Sequence, residues 1–248
     1  MRKLEGKVAL VTGSARGIGA AIAERLAADG AAVVVNYSKS ANEAEGVAER
    51  IRRAGGKAAV LKADVGVQSQ AKALVEGAVI ELGRLDILVN NAAALSFAPV
   101  EQVDGEQIRK QFSVNVEGPI ATVQAASRFL PAEGGRVINI TSLVQLYPLP
   151  GNTVYAATKG AIDAMTRTWA VEFGSRGVTV NAVGPGLTET DAVKEHLPDE
   201  MKKLLIARTP LGRIGMPADI AELVAFLASP EARWITGQVL FATGGFTP

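Results

Sequence analysis

Apolar runs of four to six residues alternate with stretches of helical periodicity along this chain. Lys7 to Val11 is the first run; it closes on Thr12-Gly13, and Ser14-Ala15-Arg16-Gly17-Ile18-Gly19 leads into an alanine-rich helix ending near Asp29. Ala31 to Val35 and Ala58 to Leu61 read as the next strands, with a helix from Asn42 to Ala54 between them. A helix from about Gln68 to Leu82 precedes a fourth strand, Leu85 to Asn90. The second half predicts a long helix from Gly105 to Phe129, a strand Arg136 to Ile140, a helix Val154 to Phe173 and a strand Val178 to Val183. After Gly184-Pro185-Gly186 comes a polar stretch to about Ile206, then a helix from Pro217 to Leu227 and a last strand near Val239 to Phe241. Strands this apolar need cover on both faces, so the alternation predicts an α/β fold, a doubly wound parallel sheet of about seven strands flanked by helices. No linker, repeat or low-complexity tract intervenes, so residues 1–248 are expected to form one domain.

Composition removes several functional classes. With 48% hydrophobic and 21% charged residues the chain buries an ordinary core, and a net charge of +1 leaves no electrostatic footprint for nucleic acid or an anionic membrane. There is no cysteine and a single histidine, His196, so neither a disulfide nor a Cys/His zinc cluster is expected. The opening Met1-Arg2-Lys3-Leu4-Glu5-Gly6 is too polar for a signal peptide, and no apolar run approaches the ~18 residues of a membrane span. The expected location is the cytoplasm.

The candidate chemistry sits in Val154-Tyr155-Ala156-Ala157-Thr158-Lys159. Residues four apart share one helix face, which puts a phenol and an ammonium in one small volume. A tyrosine with a pKa near ~10 exchanges protons poorly at neutral pH unless its anion is stabilised by about 4 kcal/mol. A unit charge ~4 Å away supplies about that much at an effective dielectric near 20, and only about 1 kcal/mol in water. The pair therefore works as an acid/base only in a cleft that excludes water, and Lys159 is expected to lower the phenol pKa. A second signal lies at the first strand–helix junction, where Thr12-Gly13-(x)3-Gly17-x-Gly19 lets backbone N–H groups and a helix N-terminus approach a pyrophosphate.

At this point the chain resembles the short-chain dehydrogenase/reductase family, whose T-G-x-x-x-G-x-G spacing it shares. The resemblance extends in order through Asp64-Val65, Asn90-Asn91-Ala92, Asn115, Ser142, Tyr155 with Lys159, and Pro185-Gly186 with Thr190. One departure is Ala93, where the family carries glycine. The resemblance implies a Rossmann sheet of order 3-2-1-4-5-6-7 and hydride transfer between a nicotinamide and a carbonyl. It makes Tyr155 the general acid/base, Lys159 its partner and holder of the nicotinamide ribose, Ser142 a donor to the carbonyl oxygen, and Asn115 the residue that positions a water beside Lys159. Expected nucleotide contacts are Gly13, Ser14, Arg16, Gly17, Ile18, Gly19, Asp64, Val65, Asn91, Ala92, Pro185, Gly186, Thr188 and Thr190, together with Tyr155 and Lys159.

The second strand addresses which nucleotide. It ends Val35-Asn36-Tyr37-Ser38-Lys39, without the carboxylate that would bind a ribose 2′-OH and repel a 2′-phosphate. Asn36, Tyr37 and Ser38, with Arg16 across the turn, favour NADP(H) over NAD(H). Loops after the strands carry Leu95, Phe97, Leu143, Val144, Leu146, Leu149 and Leu187, an apolar wall suited to a moderately hydrophobic ketone or secondary alcohol rather than a sugar. Residues 188–206 look like the family's lid, with His196 a solvated lid residue. The subgroup resembled is the 3-oxoacyl-acyl-carrier-protein reductases, but Glu133 and Val171 stand where those enzymes place carrier-docking arginines. A free ketone is therefore preferred to a carrier-bound thioester. An NAD-dependent alcohol or sugar dehydrogenase and a nucleotide-sensing protein of the same fold are the other readings. Met165, Trp169 and Phe173 form a stripe on the Tyr155 helix, with Phe112 and Phe129 on the preceding one. The resemblance implies a homotetramer with Trp234 to Phe241 near one interface.

Overall fold

A computed structural model describes residues 2–190, 193, 197 and 199–246. Its strands are β1 (Val8–Val11), β2 (Ala32–Tyr37), β3 (Lys57–Lys62), β4 (Ile87–Asn90), β5 (Arg136–Ile140), β6 (Thr179–Pro185) and β7 (Val239–Ala242). All pair in parallel in one sheet of order β3-β2-β1-β4-β5-β6-β7. The helices are α1 (Gly17–Ala28), α2 (Ala41–Arg53), α3 (Gln68–Leu82), α4 (Gly105–Phe112), α5 (Gly118–Ala126), α6 (Thr153–Gly174), α7 (Asp199–Ala207) and α8 (Pro217–Ala228).

The strand alternation decides which residue faces which layer. Ala9 and Val11 of β1, with Val33 and Val35 of β2, face α1, α2 and α8, where Ile22, Leu26, Val47 and Val224 meet them. Leu10 and Val34, one residue out of phase, face the opposite layer of α3 and α5, where Leu74, Val75 and Val123 meet them. Trp169, Phe173 and Phe129 pack partly buried against that second layer. Chain order reverses at β1, which has β2 on one side and β4 on the other, and the crevice beyond the C-terminal strand ends at such a point is where this architecture takes ligands. Among the described residues, no helix is long and apolar enough to cross a membrane.

Three elements differ from the sequence expectation. The helix predicted from Gly105 to Phe129 is α4, a π turn over Ser113–Glu117, and α5, which ends at Ala126. The break has a covalent cause: Pro119 has no N–H to give the carbonyl four residues back, which is that of Asn115, and the Gly118 N–H reaches five back to Ser113. β2 runs on to Tyr37 because Asn36 and Tyr37 continue the ladder opposite Leu61 and Lys62. The polar stretch before Ile206 contains α7, with Asp199 and Glu200 in its first turn, where the helix dipole favours acids. His196 and the remainder of residues 191–198, apart from 193 and 197, lie outside the described residues.

Candidate active site

The turn after β1 is built by close approach. Gly13 has φ +62°, and a Cβ there would stand 2.9 Å from the Ala92 Cα. At Gly19 a Cβ would meet Asn91 Nδ2 at 2.4 Å and the Gly13 carbonyl oxygen at 2.5 Å, so only hydrogen lets α1 start against the turn. Thr12 and Asn91 clamp the junction: the Thr12 hydroxyl accepts from the N–H groups of Asn91 at 3.0 Å and Ala92 at 3.1 Å, while Asn91 Nδ2 donates to the carbonyls of Thr12 and Gly13. α1 starts with no side-chain cap and no acidic residue in its first turn, which leaves the positive end of its dipole uncompensated. Thr190, in the loop after β6, comes over this point, its Cγ2 3.5 Å from where a Gly17 Cβ would be.

The side chains of two expected nucleotide contacts are engaged within the scaffold. Asn36 is buried; its Oδ1 accepts from the Gly13 N–H at 3.0 Å, and its Nδ2 donates to the carbonyls of Leu61 and Ala63, each at 3.2 Å. Ser14 is buried too, its hydroxyl donating to the Val11 carbonyl at 2.7 Å and accepting from the Asn36 N–H at 2.9 Å. Because β2 extends through Asn36, that side chain points back into the turn rather than out to a ligand. Arg16 and Ser38 are exposed and Tyr37 is half-buried, so these three remain available at the edge of the crevice. Val65 is buried beneath the crevice. Asp64 accepts from the Gly66 N–H at 2.9 Å and faces Lys110 at 3.6 Å.

Ser142, Tyr155 and Lys159 meet on the other side of the sheet's switch point, and Asn115 backs them. Ser142 ends the β5 extension, where its hydroxyl accepts from the Val144 N–H at 3.2 Å, and it lines the same cavity as Tyr155. Lys159 is 3% exposed; its Nζ donates to the Ile140 carbonyl at 2.8 Å and lies 5.5 Å from the centre of the Tyr155 ring. Asn115 lies in the π turn with its amide fully used. Its Oδ1 accepts from the Ala94 N–H at 2.7 Å, and its Nδ2 donates to the Ala94 carbonyl at 2.9 Å and to the Thr158 hydroxyl at 3.1 Å. It thereby ties the β4 exit loop to α6 one residue before Lys159.

The electrostatics correct one expectation. The Tyr155 phenol is pushed up to about 12 by burial, partly offset by the nearby Ser142 hydroxyl, rather than lowered by Lys159. The reason is geometric, because the ammonium is drawn into the protein toward the Ile140 carbonyl while the half-buried phenol lines a mainly apolar cavity. Burial also lowers Lys159, to about 8, against the pull of Asp163 one turn further along α6.

These groups line a cavity of about 340 Å³. Ile18, Asn91, Pro185, Gly186, Thr188 and Thr190 border its nucleotide side. Leu95, Phe97, Leu143, Val144, Leu149 and Leu187 form its apolar wall, as expected, whereas Leu146 does not line it and is 49% exposed. Ala93 lines it as well and lies outside the left-handed backbone region, so its methyl strains nothing. Sequence reasoning missed Tyr147, Asn152 and Phe246, which also line it, and Arg208 beside them. Tyr147 and Phe246 pack edge to face at 4.7 Å, with the Arg208 guanidinium 5.1 and 5.5 Å from the two ring centres. No local pattern links residues 147, 208 and 246; the fold alone brings them together.

With this geometry in view, comparison with known proteins identifies the class. A family profile described as "Enoyl-(Acyl carrier protein) reductase" matches residues 13–247. The chain is 51% identical to an uncharacterized oxidoreductase of Methylorubrum extorquens, over 99% of each chain. It is 40% identical to versicolorin reductase 1 of Dothistroma septosporum, over 98% of this chain and 97% of that one. A short-chain dehydrogenase from Burkholderia cenocepacia, solved in complex with NADP, is 39% identical and superposes with a TM-score of 0.93 over 98% of each chain. The chain belongs to the short-chain dehydrogenase/reductase family of oxidoreductases.

Proposed function

We propose that this protein is an NADPH-dependent carbonyl reductase acting on a moderately hydrophobic ketone. The observation that carries the reading is the convergence of the Ser142 and Tyr155 side chains on one apolar cavity, with the Lys159 ammonium behind the phenol ring. The residues present suit a dinucleotide: Gly13, Gly17 and Gly19 leave the turn after β1 without side chains at those positions, and the α1 N-terminus is uncapped. Arg16, Tyr37 and Ser38, with no carboxylate among them, would hold a ribose 2′-phosphate, and the Burkholderia relative was solved with NADP. When bound, the nicotinamide supplies the hydride.

The side chains divide the remaining work. Ser142 donates to the carbonyl oxygen and stabilises the charge that develops there. Tyr155, held protonated by burial, gives its proton to the developing alkoxide, a stronger base than the phenolate left behind. Lys159 holds positive charge beside the phenol as it becomes an anion, and Asn115 fixes α6 at Thr158 so that Lys159 keeps its place.

A carrier-bound thioester is the second reading. Glu133 and Val171 weigh against it, because an acidic carrier finds a carboxylate and an exposed aliphatic at the positions where the related reductases carry arginine. We also propose a homotetramer, for which Trp234 at 97% exposed and Phe226 at 41% supply apolar surface. Absorbance at 340 nm tests the reading: NADPH should be consumed with free cyclic and aryl ketones, faster than with NADH or a carrier-bound β-keto thioester. Tyr155→Phe should lower kcat by about 10²-fold or more while nucleotide still binds. Equal turnover by the phenylalanine variant, or nucleotide binding without turnover of any ketone, would refute it, the latter result pointing to a nucleotide sensor.

A further inference from the structure

α6 carries a third polar residue in register with its reacting pair. Tyr155, Lys159 and Asp163 fall at i, i+4 and i+8 on one face. Asp163 is only 7% exposed, and its Oδ2 accepts from Gln145 Nε2 at 2.7 Å. Gln145 ends the 3₁₀ turn Leu143–Gln145, whose N-cap is Ser142. The carboxylate thus touches the same short turn that delivers the Ser142 hydroxyl, and lies one helical turn beyond the Lys159 ammonium. Asp163 Oδ1 and Gln145 Oε1 are both shut off from solvent without a hydrogen-bond partner. A buried carboxylate with an unpaired oxygen is costly, and an apolar side chain would pack there without that cost.

We infer that Asp163 is a positioning residue for the proposed reaction: its buried carboxylate anchors the Ser142 turn through Gln145 and supplies the negative field that keeps Lys159 charged. The surroundings leave it that role. On α6 the charged and titratable neighbours are Tyr155, Lys159 and, one turn beyond, the exposed Arg167. From the β5–α6 loop Thr141, Ser142 and Gln145 face the cluster, and from the β4 exit and the π turn Asn91 and Asn115; all are neutral. Arg213 lines the same cavity but is paired with Asp219 at 2.6 and 2.9 Å. Among the described residues, Asp163 is the anion placed to oppose the desolvation of Lys159.

The part of this inference that concerns turnover rests on the carbonyl-reductase reading; the part that concerns the charge of Lys159 does not. The experiment separates them. Protein grown with lysine ¹³C-labelled at Cε is titrated by NMR, with the Lys159 resonance assigned by its loss in Lys159→Arg. Asp163→Asn should lower the Lys159 midpoint by about one pH unit or more, and Asp163→Glu should restore most of it. In the pH profile of kcat with a ketone, the limb for Lys159 should move by the same interval, with KM for NADPH little changed. Asp163→Ser repeats the test should D163N fail to fold. An unmoved midpoint in a folded variant overturns the inference. A moved midpoint in a protein that reduces no ketone upholds the role of Asp163 and overturns the proposed function.

Discussion

Replacing Lys159 with methionine should make the protein more stable while silencing it. Burial takes the ammonium from an ordinary 10.5 to about 8, and at about 1.4 kcal/mol per pKa unit the charged form costs the fold about 3 kcal/mol at pH 7. Methionine is close in volume and carries no charge, so the cost disappears, less about 1 kcal/mol for the Ile140 carbonyl left without its donor. The net expectation is a gain of about 2 kcal/mol, read as a higher urea midpoint at unchanged slope, without nucleotide and at fixed protein concentration. The gain has a pH signature. A folded lysine below its unfolded pKa binds fewer protons than the unfolded chain between about 8 and 10.5, so the parent protein gains stability as pH rises through that window. The methionine variant lacks this rise, and its advantage should shrink from pH 8 to pH 10.5. Tyr155 acts oppositely above pH 10: its phenol stays protonated to about 12 in the fold, so both proteins lose stability from pH 10 upward. A variant no more stable than the parent at pH 7, or an advantage that does not change with pH, would refute the reasoning. The combination of higher stability with lost activity is the trade expected where a charge is kept dry for function.

Two further substitutions test how the crevice is built. Gly19→Ala places a methyl 2.4 Å from Asn91 Nδ2 and 2.5 Å from the Gly13 carbonyl, so it should cost about 1–3 kcal/mol and weaken NADPH binding in a fluorescence titration. Unchanged affinity would mean that the turn relaxes freely. Asn36→Leu strips partners from the Gly13 N–H and from the Leu61 and Ala63 carbonyls, and should lower urea stability by about 1–3 kcal/mol. If it instead changes only the preference for NADPH over NADH, Asn36 is a nucleotide contact after all.

Local pattern carried most of the architecture. The runs at Lys7 to Val11, Arg136 to Ile140 and Val178 to Val183 read as strands because short, largely apolar and β-branched stretches end at turn residues, and each appears within two residues at either end; that Asn139, Thr179 and Asn181 within them are buried was not legible. The glycine spacing and the four-residue step from Tyr155 to Lys159 were legible for the same reason, since each is a property of one turn or one helix. The break at Pro119 was also written locally, because a missing N–H affects the carbonyl four residues earlier. Other features were not legible. Asn36 reads as a polar residue at a strand end until the β1 turn is seen folded over it. Tyr147 and Phe246 stand 99 positions apart and meet only through the return of the chain after β7.

The sequence by itself determined the class of fold, the family and the candidate pair Tyr155 and Lys159, because those follow from periodicity and from spacings within single elements. Tertiary structure alone decided their electrostatic state. Desolvation sums the contributions of every atom around a group, and those atoms come from strands and loops distant in the chain. That is why Tyr155 sits high at about 12, Lys159 sits low at about 8, and Asp163 matters to both the turn above it and the lysine beside it.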